Sequence, residues 1–160
     1  GSCRNSQEEH RVELLKQLAE RLRIRDHITF HISIAYEDLC SLLETCVGGL
    51  HTMRDEHFGI VLVEYMASGV IPIAHRSGGP LEDIVCNPRP LHSVPDALGG
   101  NEGQAGYLAE TKDEYAKCIV ELACLSEERR VSMARQLRED SLRFSEERFE
   151  EDLLDAMKQL

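Results

Sequence analysis

The sequence predicts an α/β fold, a parallel Rossmann-like sheet flanked by helices, with helices also closing the chain. Three observations predict it. Short buried strands alternate with helices through the first two thirds. A strand, a glycine-bearing turn, a helix and a strand run from Val47 to Ala74 and make a βαβ unit. After about residue 110 every segment has helical spacing and a cap of its own.

Ser6-Gln-Glu-Glu9 has capping-box spacing and starts a helix to about Arg23, with Val12, Leu15, Ala19 and Leu22 as its apolar stripe. Ile28 to Ile32 alternates apolar and polar, the pattern of a strand. Tyr36 to Cys46 reads as a helix with Leu39, Leu42 and Leu43 inward. Val47 to Met53 is a second strand. A helix from about Phe58 follows, in which Phe58, Val61, Leu62, Tyr65 and Met66 share a face. Val70 to Ala74 is the next strand. Ala74 to Pro80, with Gly78 and Gly79, is a tight loop where backbone can approach a ligand. Leu81 to Val85 is a short helical piece.

Residues 87 to 104, with Pro88, Pro90, Pro95, Gly99, Gly100 and Gly103, form the one long loop and the expected mobile segment. Gly106 to Ala109 is a last short strand. Thr111-Lys-Asp-Glu114 is a second capping box, leading a helix to about Leu125. Ser126 and Ser145 cap two more helices, whose Glu127, Glu128, Glu146 and Glu147 suit the positive helix end. Phe149, Leu153, Met157 and Leu160 are the expected buried stripe of the last.

The 160 residues, 42% apolar, suit one domain spanning 1–160, and no window approaches membrane-spanning length. A net charge of −11 argues against a general nucleic-acid binder but not against one bound nucleotide. Six cysteines (3, 40, 46, 86, 118 and 124) contain no C-x-x-C and read as reduced thiols. No metal site is expected: H-E-x-x-H is absent, and His51 and His57 flank a loop rather than share a helical face.

The chemistry centres on Glu56 and Glu64, with seven residues between them around a helix start. With the helix beginning near Phe58, Glu64 lies roughly 9 Å along the axis. Carboxylates so placed are not a close acid/base pair. They suit two parts of one elongated ligand, with the helix N-terminus taking an anionic group between them. A nucleoside diphosphate sugar has that shape, and a carboxylate accepts from vicinal hydroxyls. Gly59 lets a phosphate reach the Gly59 and Ile60 amides. The bland alternatives stand beside this: a solvated helix glutamate, and a Ser77-Gly78-Gly79 loop that merely turns the chain.

Glu56-His-Phe-Gly-Ile-Val-Leu-Val-Glu64 resembles the E-x7-E motif of the large retaining GT-B glycosyltransferase family, and Tyr65 to Gly69, Ile71 to Ala74 and Gly78-Gly79 continue the pattern. Leu50-His-Thr-Met53, Val63 to Ala67, Ile73-Ala-His75, Ser77-Gly-Gly-Pro80 and Asp83-Ile-Val85 are more narrowly similar to the GDP-mannose-dependent α-1,2-mannosyltransferases of asparagine-linked glycosylation. Ser2 to Asn5, Gly106 to Glu110 and Arg143 to Ser145 fit the same subfamily.

The resemblance implies the donor-binding, C-terminal half of a GT-B enzyme, lacking the first strand or strands of that half. It implies GDP-mannose as donor, a dolichol-pyrophosphate-linked oligosaccharide as acceptor through a missing N-terminal domain, and no metal or other cofactor. It places the full enzyme on the cytosolic face of the endoplasmic reticulum, attached through missing segments. Glu56 would contact the transferred mannose as the catalytic residue. His57, Phe58, Gly59, Ile60, Glu64, Ser77, Gly78 and Gly79 would bind donor, with Glu64 on the ribose and the Gly59 and Ile60 amides on the diphosphate. Arg54 and Arg76 depart from the expected aromatic and small polar residues. Two other readings remain open at this point: a donor domain for a different nucleotide sugar, or a non-catalytic interaction module.

Overall fold

The computed structural model describes residues 3–85 and 105–158. It divides into two compact units, Gly1–Leu42 and Leu43–Leu160.

The first unit holds α1 (Ser6–Arg21), a 3-10 turn at Arg25–His27 and most of α2 (Tyr36–Thr45), which runs across the division. The cap of α1 is Asn5 rather than Ser6. Its side chain accepts from the Gln7 and Glu8 amides, while the Glu8 carboxylate reaches back to the Arg4 amide at 2.6 Å. The cap is therefore shifted by one residue, and the Glu8 carboxylate returns to the residue before the cap rather than to the cap itself. Its predicted stripe is half realised: Ala19 is buried, but Leu15 and Leu22 are exposed.

Ile28 to Ile32 is not a strand. Alternation describes a half-buried face, but a strand exists only through a ladder partner. Here Arg25 intervenes locally: its guanidinium donates to Ile28 O at 2.9 Å and lies 5.6 Å from the Phe30 ring centroid.

The second unit is built on a three-stranded parallel sheet among the described residues, ordered β1 (Gly48–His51), β2 (Ile71–His75), β3 (Tyr107–Ala109). β2 is central and buried over its first four residues, so it reads as a continuous apolar run rather than an alternating one. Pro72 sits in this central strand although it has no N–H to give. The Ile71 N–H points to Val47 O, so residue 72 faces the other neighbour, and β3 pairs only from Ile73 onward.

Helix α3 (Ile60–Ser68) packs on β1 and β2, and α4 (Lys112–Cys124) packs on β3 and β2. Adjacent glycines in β1 let both helices close in. A Cβ at Gly48 would lie 2.2 Å from Leu122 of α4, and one at Gly49 2.4 Å from the Tyr65 ring of α3. Because neighbouring strand residues face opposite ways, the two helices cover opposite faces. Leu62, Met66, Ile73, Ile84, Leu122 and Leu137 make the centre of the core.

α3 ends at Gly69, with φ of 77°, and the Val70 amide returns to Tyr65 O at 2.8 Å. Arg138 of α5 (Glu127–Ser141) donates to Ser68 O at 2.7 Å and completes that end. The wide helical turn Pro80–Ile84 is closed by Val85 N–H to Pro80 O.

The predicted caps of the closing helices form. Thr111 accepts from the Glu114 amide, Ser126 from Arg129, and Ser145 from Arg148. The Glu114 carboxylate returns to the Glu110 amide, which with Arg76 holds it below the usual carboxylate range. The stripe of α6 (Glu146–Lys158) is not buried: Phe149, Leu153 and Met157 are 66%, 48% and 63% exposed. Spacing made the stripe amphipathic, but no described residue of this unit covers it. Leu160, Cys86 and the loop 87–104 lie outside the described residues. The other five cysteines are free thiols.

Met66 is fully buried, so Met66→Ala should cost about 2–5 kcal/mol, read as a lower urea midpoint with unchanged slope. Burial is the leading cause that raises the phenols of Tyr65, Tyr107 and Tyr115 above the ordinary tyrosine range. The folded chain thus keeps protons that the unfolded chain gives up. Their contribution is complete below about pH 10 and is lost as pH rises through the raised folded values. Urea midpoints should fall across that alkaline window in step with tyrosinate absorbance, and a flat midpoint would refute the burial of these hydroxyls.

Candidate functional site

The site lies at the C-terminal edge of the parallel sheet, where open α/β sheets bind ligands. β1 ends at His51, β2 ends at His75, and the two loops that leave them meet. The first loop carries Glu56 into α3. The second is Arg76 to Gly79.

The loops are joined through backbone. The Asp55 N–H donates to Ser77 Oγ at 2.8 Å, and the Gly79 N–H donates to Glu56 O at 2.9 Å. Asp55 has φ of 52°, a left-handed conformation that Asp tolerates better than most residues. Ser77 Oγ is also 2.8 Å from His75 Nδ1, so the end of β2 anchors the same turn. Contact is too close for any side chain at 78 or 79. A Cβ at Gly78 would lie 2.3 Å from Glu56 O, and one at Gly79 2.4 Å from His57 O and 2.6 Å from Phe58 O. Ser77, Gly78 and Gly79 thus grip the 55–58 turn, and the Gly79 amide is already in use.

Glu56 is held on its other side by His51, whose Nε2 is 3.8 Å from Glu56 Oε2; the two side chains are 12% and 23% exposed. His57 is exposed. Phe58 is 42% exposed and meets Phe144 edge-on, with centroids 5.6 Å apart. Phe144 is in turn steadied by Arg143, which lies over its ring and donates to Asp83 O and Ile84 O.

Gly59 is buried at the helix cap with φ of 97°, which suits glycine alone. α3 begins at Ile60, two residues later than expected from the spacing. Glu64 is therefore about 6 Å along the axis from the first helical residue, rather than about two turns inside. No side chain caps the first turn of α3 and no acidic residue stands in it, so its amide end is open to an anion. Ile60 is exposed and Glu64 is half-buried next to Tyr65. Burial first, then the charges of Cys46 and Glu64, raise the Tyr65 phenol.

Arg76 turns away toward α4: it donates to Leu108 O at 3.1 Å and lies 3.6 Å from the Glu114 carboxylate. Arg54 is exposed on the first loop. Among the described residues, no group of three or more His, Cys, Asp or Glu side chains is placed to hold a metal ion.

A family model described as glycosyl transferases group 1 matches residues 6–139. The chain belongs to this family. The group 1 transferase chain is 39% identical, over its whole length, to a human protein named GDP-Man:Man(3)GlcNAc(2)-PP-Dol alpha-1,2-mannosyltransferase, of which it covers 30%. A Dictyostelium discoideum relative of the same name is also 39% identical, with 28% of it covered. Among solved structures, Anabaena HepE with UDP-glucose superposes with a TM-score of 0.66 at 22% identity, over 93% of this chain and 37% of that one. The catalytic domain of Arabidopsis thaliana starch synthase IV, bound to ADP and acarbose, gives 0.65 at 16% identity, over 94% and 30%. Those likenesses show the GT-B transferase fold. The chain spans about 30% of the length of the curated relatives it matches.

Residues not singled out as functional from the sequence are His51, His75, Tyr115 and Phe144. Three of them contact the first loop, its flank or its anchor from elsewhere in the chain. The available signal was the strand-final position of both histidines, which puts them at the edge where the loops begin.

Gly79→Ala tests the grip of the second loop on the first. With backbone oxygens on its contact side, the added methyl should force a shift costing about 1–3 kcal/mol. A thermal midpoint equal to the parent's would show that the loops are not clamped.

Proposed function

We propose that this chain is the donor-binding part of a retaining mannosyltransferase, one that moves mannose from GDP-mannose to a dolichol-pyrophosphate-linked oligosaccharide in α-1,2 linkage. The observation that carries the reading is the 39% identity, over the whole of this chain, to relatives of that printed activity. The geometry supports it. Glu56 is clamped beside the open amide end of α3, and Glu64 stands one turn further along the same helix.

In this reading Glu64 accepts from the ribose hydroxyls. The Gly59 and Ile60 amides receive the diphosphate, and Glu56 contacts the mannose. His57 and Phe58 line the approach, while Ser77, Gly78 and Gly79 form the donor-side wall and hold Glu56 in place. The leaving diphosphate draws its stabilisation from preorganised amides and cations in the assembled cleft, with no metal or other cofactor. The acceptor binds through sequence outside this chain. The full protein acts at the cytosolic face of the endoplasmic reticulum and is attached through segments outside this chain; no helix among the described residues is long and apolar enough to cross a membrane.

Titration calorimetry with GDP checks the donor grip. The parent chain should bind, and Glu64→Ala should bind about tenfold or more weakly, because a hydrogen bond to a charged group contributes about 1.5–3 kcal/mol. Equal binding by both would remove Glu64 from the site. GDP-mannose set against UDP-sugars, with the full protein, then decides the donor.

A further inference from the structure

His51 is the last residue of β1, paired in register with Ala74, so it stands at the rim of the site. Its backbone is fixed from the far side of the sheet edge: the Tyr115 hydroxyl of α4 donates to His51 O at 3.2 Å. Its ring is largely enclosed. Nε2 faces the Glu56 carboxylate at 3.8 Å, whereas Nδ1 is buried with no hydrogen-bond partner among the described residues.

That asymmetry selects a tautomer. A neutral imidazole carries one proton. On Nδ1 the proton would be a buried donor with no acceptor, a costly arrangement. On Nε2 it points at a carboxylate, which can only accept when ionised. The Glu56 carboxylate is thereby approached by N–H at one oxygen, while its backbone carbonyl is fixed by Gly79.

The 3.8 Å separation is longer than a closed hydrogen bond, and such contacts tighten when a substrate completes the site. We propose that His51 is the positioning residue for Glu56: its Nε2–H holds one carboxylate oxygen and so presents the other to the donor sugar. The proposal rests on the reading of Glu56 given above.

The test uses the full protein that carries this chain, assayed with GDP-mannose and lipid-linked oligosaccharide. His51→Gln places an amide N–H near the Nε2 position, and His51→Asn places it near Nδ1. His51→Asn should lower kcat by about tenfold or more, the usual cost of losing an orienting partner, with a much smaller change in KM for GDP-mannose. His51→Gln should restore most of the rate. Glu56→Gln should be at least as slow, and adding His51→Asn to it should cost nothing further, because the two act as one unit.

Equal rates for His51→Gln and His51→Asn, whether both fast or both slow, would overturn the proposal while a slow Glu56→Gln keeps the reading of Glu56. A Glu56→Gln protein at the parent rate would overturn that reading and the His51 role with it. Thermal midpoints measured on every variant confine the comparison to folded protein. If His51→Asn does not fold, His51→Ala takes its place in the comparison: a slow His51→Ala beside a parent-like His51→Gln upholds the proposal, and equal rates for the two overturn it.

Discussion

Two hydrogen bonds donated by backbone amides hold the site in one piece. The Asp55 amide gives to Ser77 Oγ, and the Gly79 amide gives to Glu56 O. They tie the loop leaving β1 to the loop leaving β2, and they use main-chain groups that would otherwise lie unpaired at a crowded edge. The close approach they require leaves no room for a Cβ at 78 or 79. Surface loops are usually mobile; this one is bonded at Asp55 and at Glu56 before α3 begins. Glu56 is thus placed by a rigid neighbour as well as by its own chain.

That grip depends on how deeply β2 is buried. β2 is the central strand, lies between helices on both faces, and ends at His75, whose ring reaches Ser77. Leu62 and Met66 seat α3 against the same strand, which fixes where the amide end of α3 points. α5 closes the other end of α3 through Arg138, and the turn after α5 supplies Phe144 to brace Phe58. The site therefore draws on elements from β1 to the turn that follows α5, although the residues with proposed roles on the donor span only 56 to 79. The two histidines at the strand ends belong to this support: one reaches the Glu56 side chain and the other reaches the serine that holds its turn.

Helix ends were readable because a cap is local chemistry. Thr111, Ser126 and Ser145 each bond an amide three residues on, so the sequence carries both partners within one turn. The same logic was off by one residue at α1, where Asn5 and Ser6 are adjacent capping residues and Asn5 takes the role. Apolar spacing was less reliable. It made a strand of 28–32, where Arg25 took the carbonyl that a neighbour would need. It also assigned a buried face to α6, whose Phe149 and Met157 are open among the described residues. Periodicity states which residues share a face, not whether another surface lies opposite.

The sequence by itself determined the α/β class, the order of strands and helices around 47–74, and the carriers of the candidate chemistry, Glu56, Gly59 and Glu64. These are properties of neighbours along the chain: a glycine at a helix start, two glutamates at a set interval, and short runs of buried residues. Only the tertiary structure decided that α3 begins at Ile60, that Ser77 and Gly79 spend their groups on the 55–56 turn, that Arg76 turns to Glu114, and that His51 faces Glu56. Most of those contacts join residues on different elements, as with Tyr115 and His51, 64 residues apart. They exist because the parallel sheet brings the ends of β1 and β2 to one edge, which no local pattern encodes.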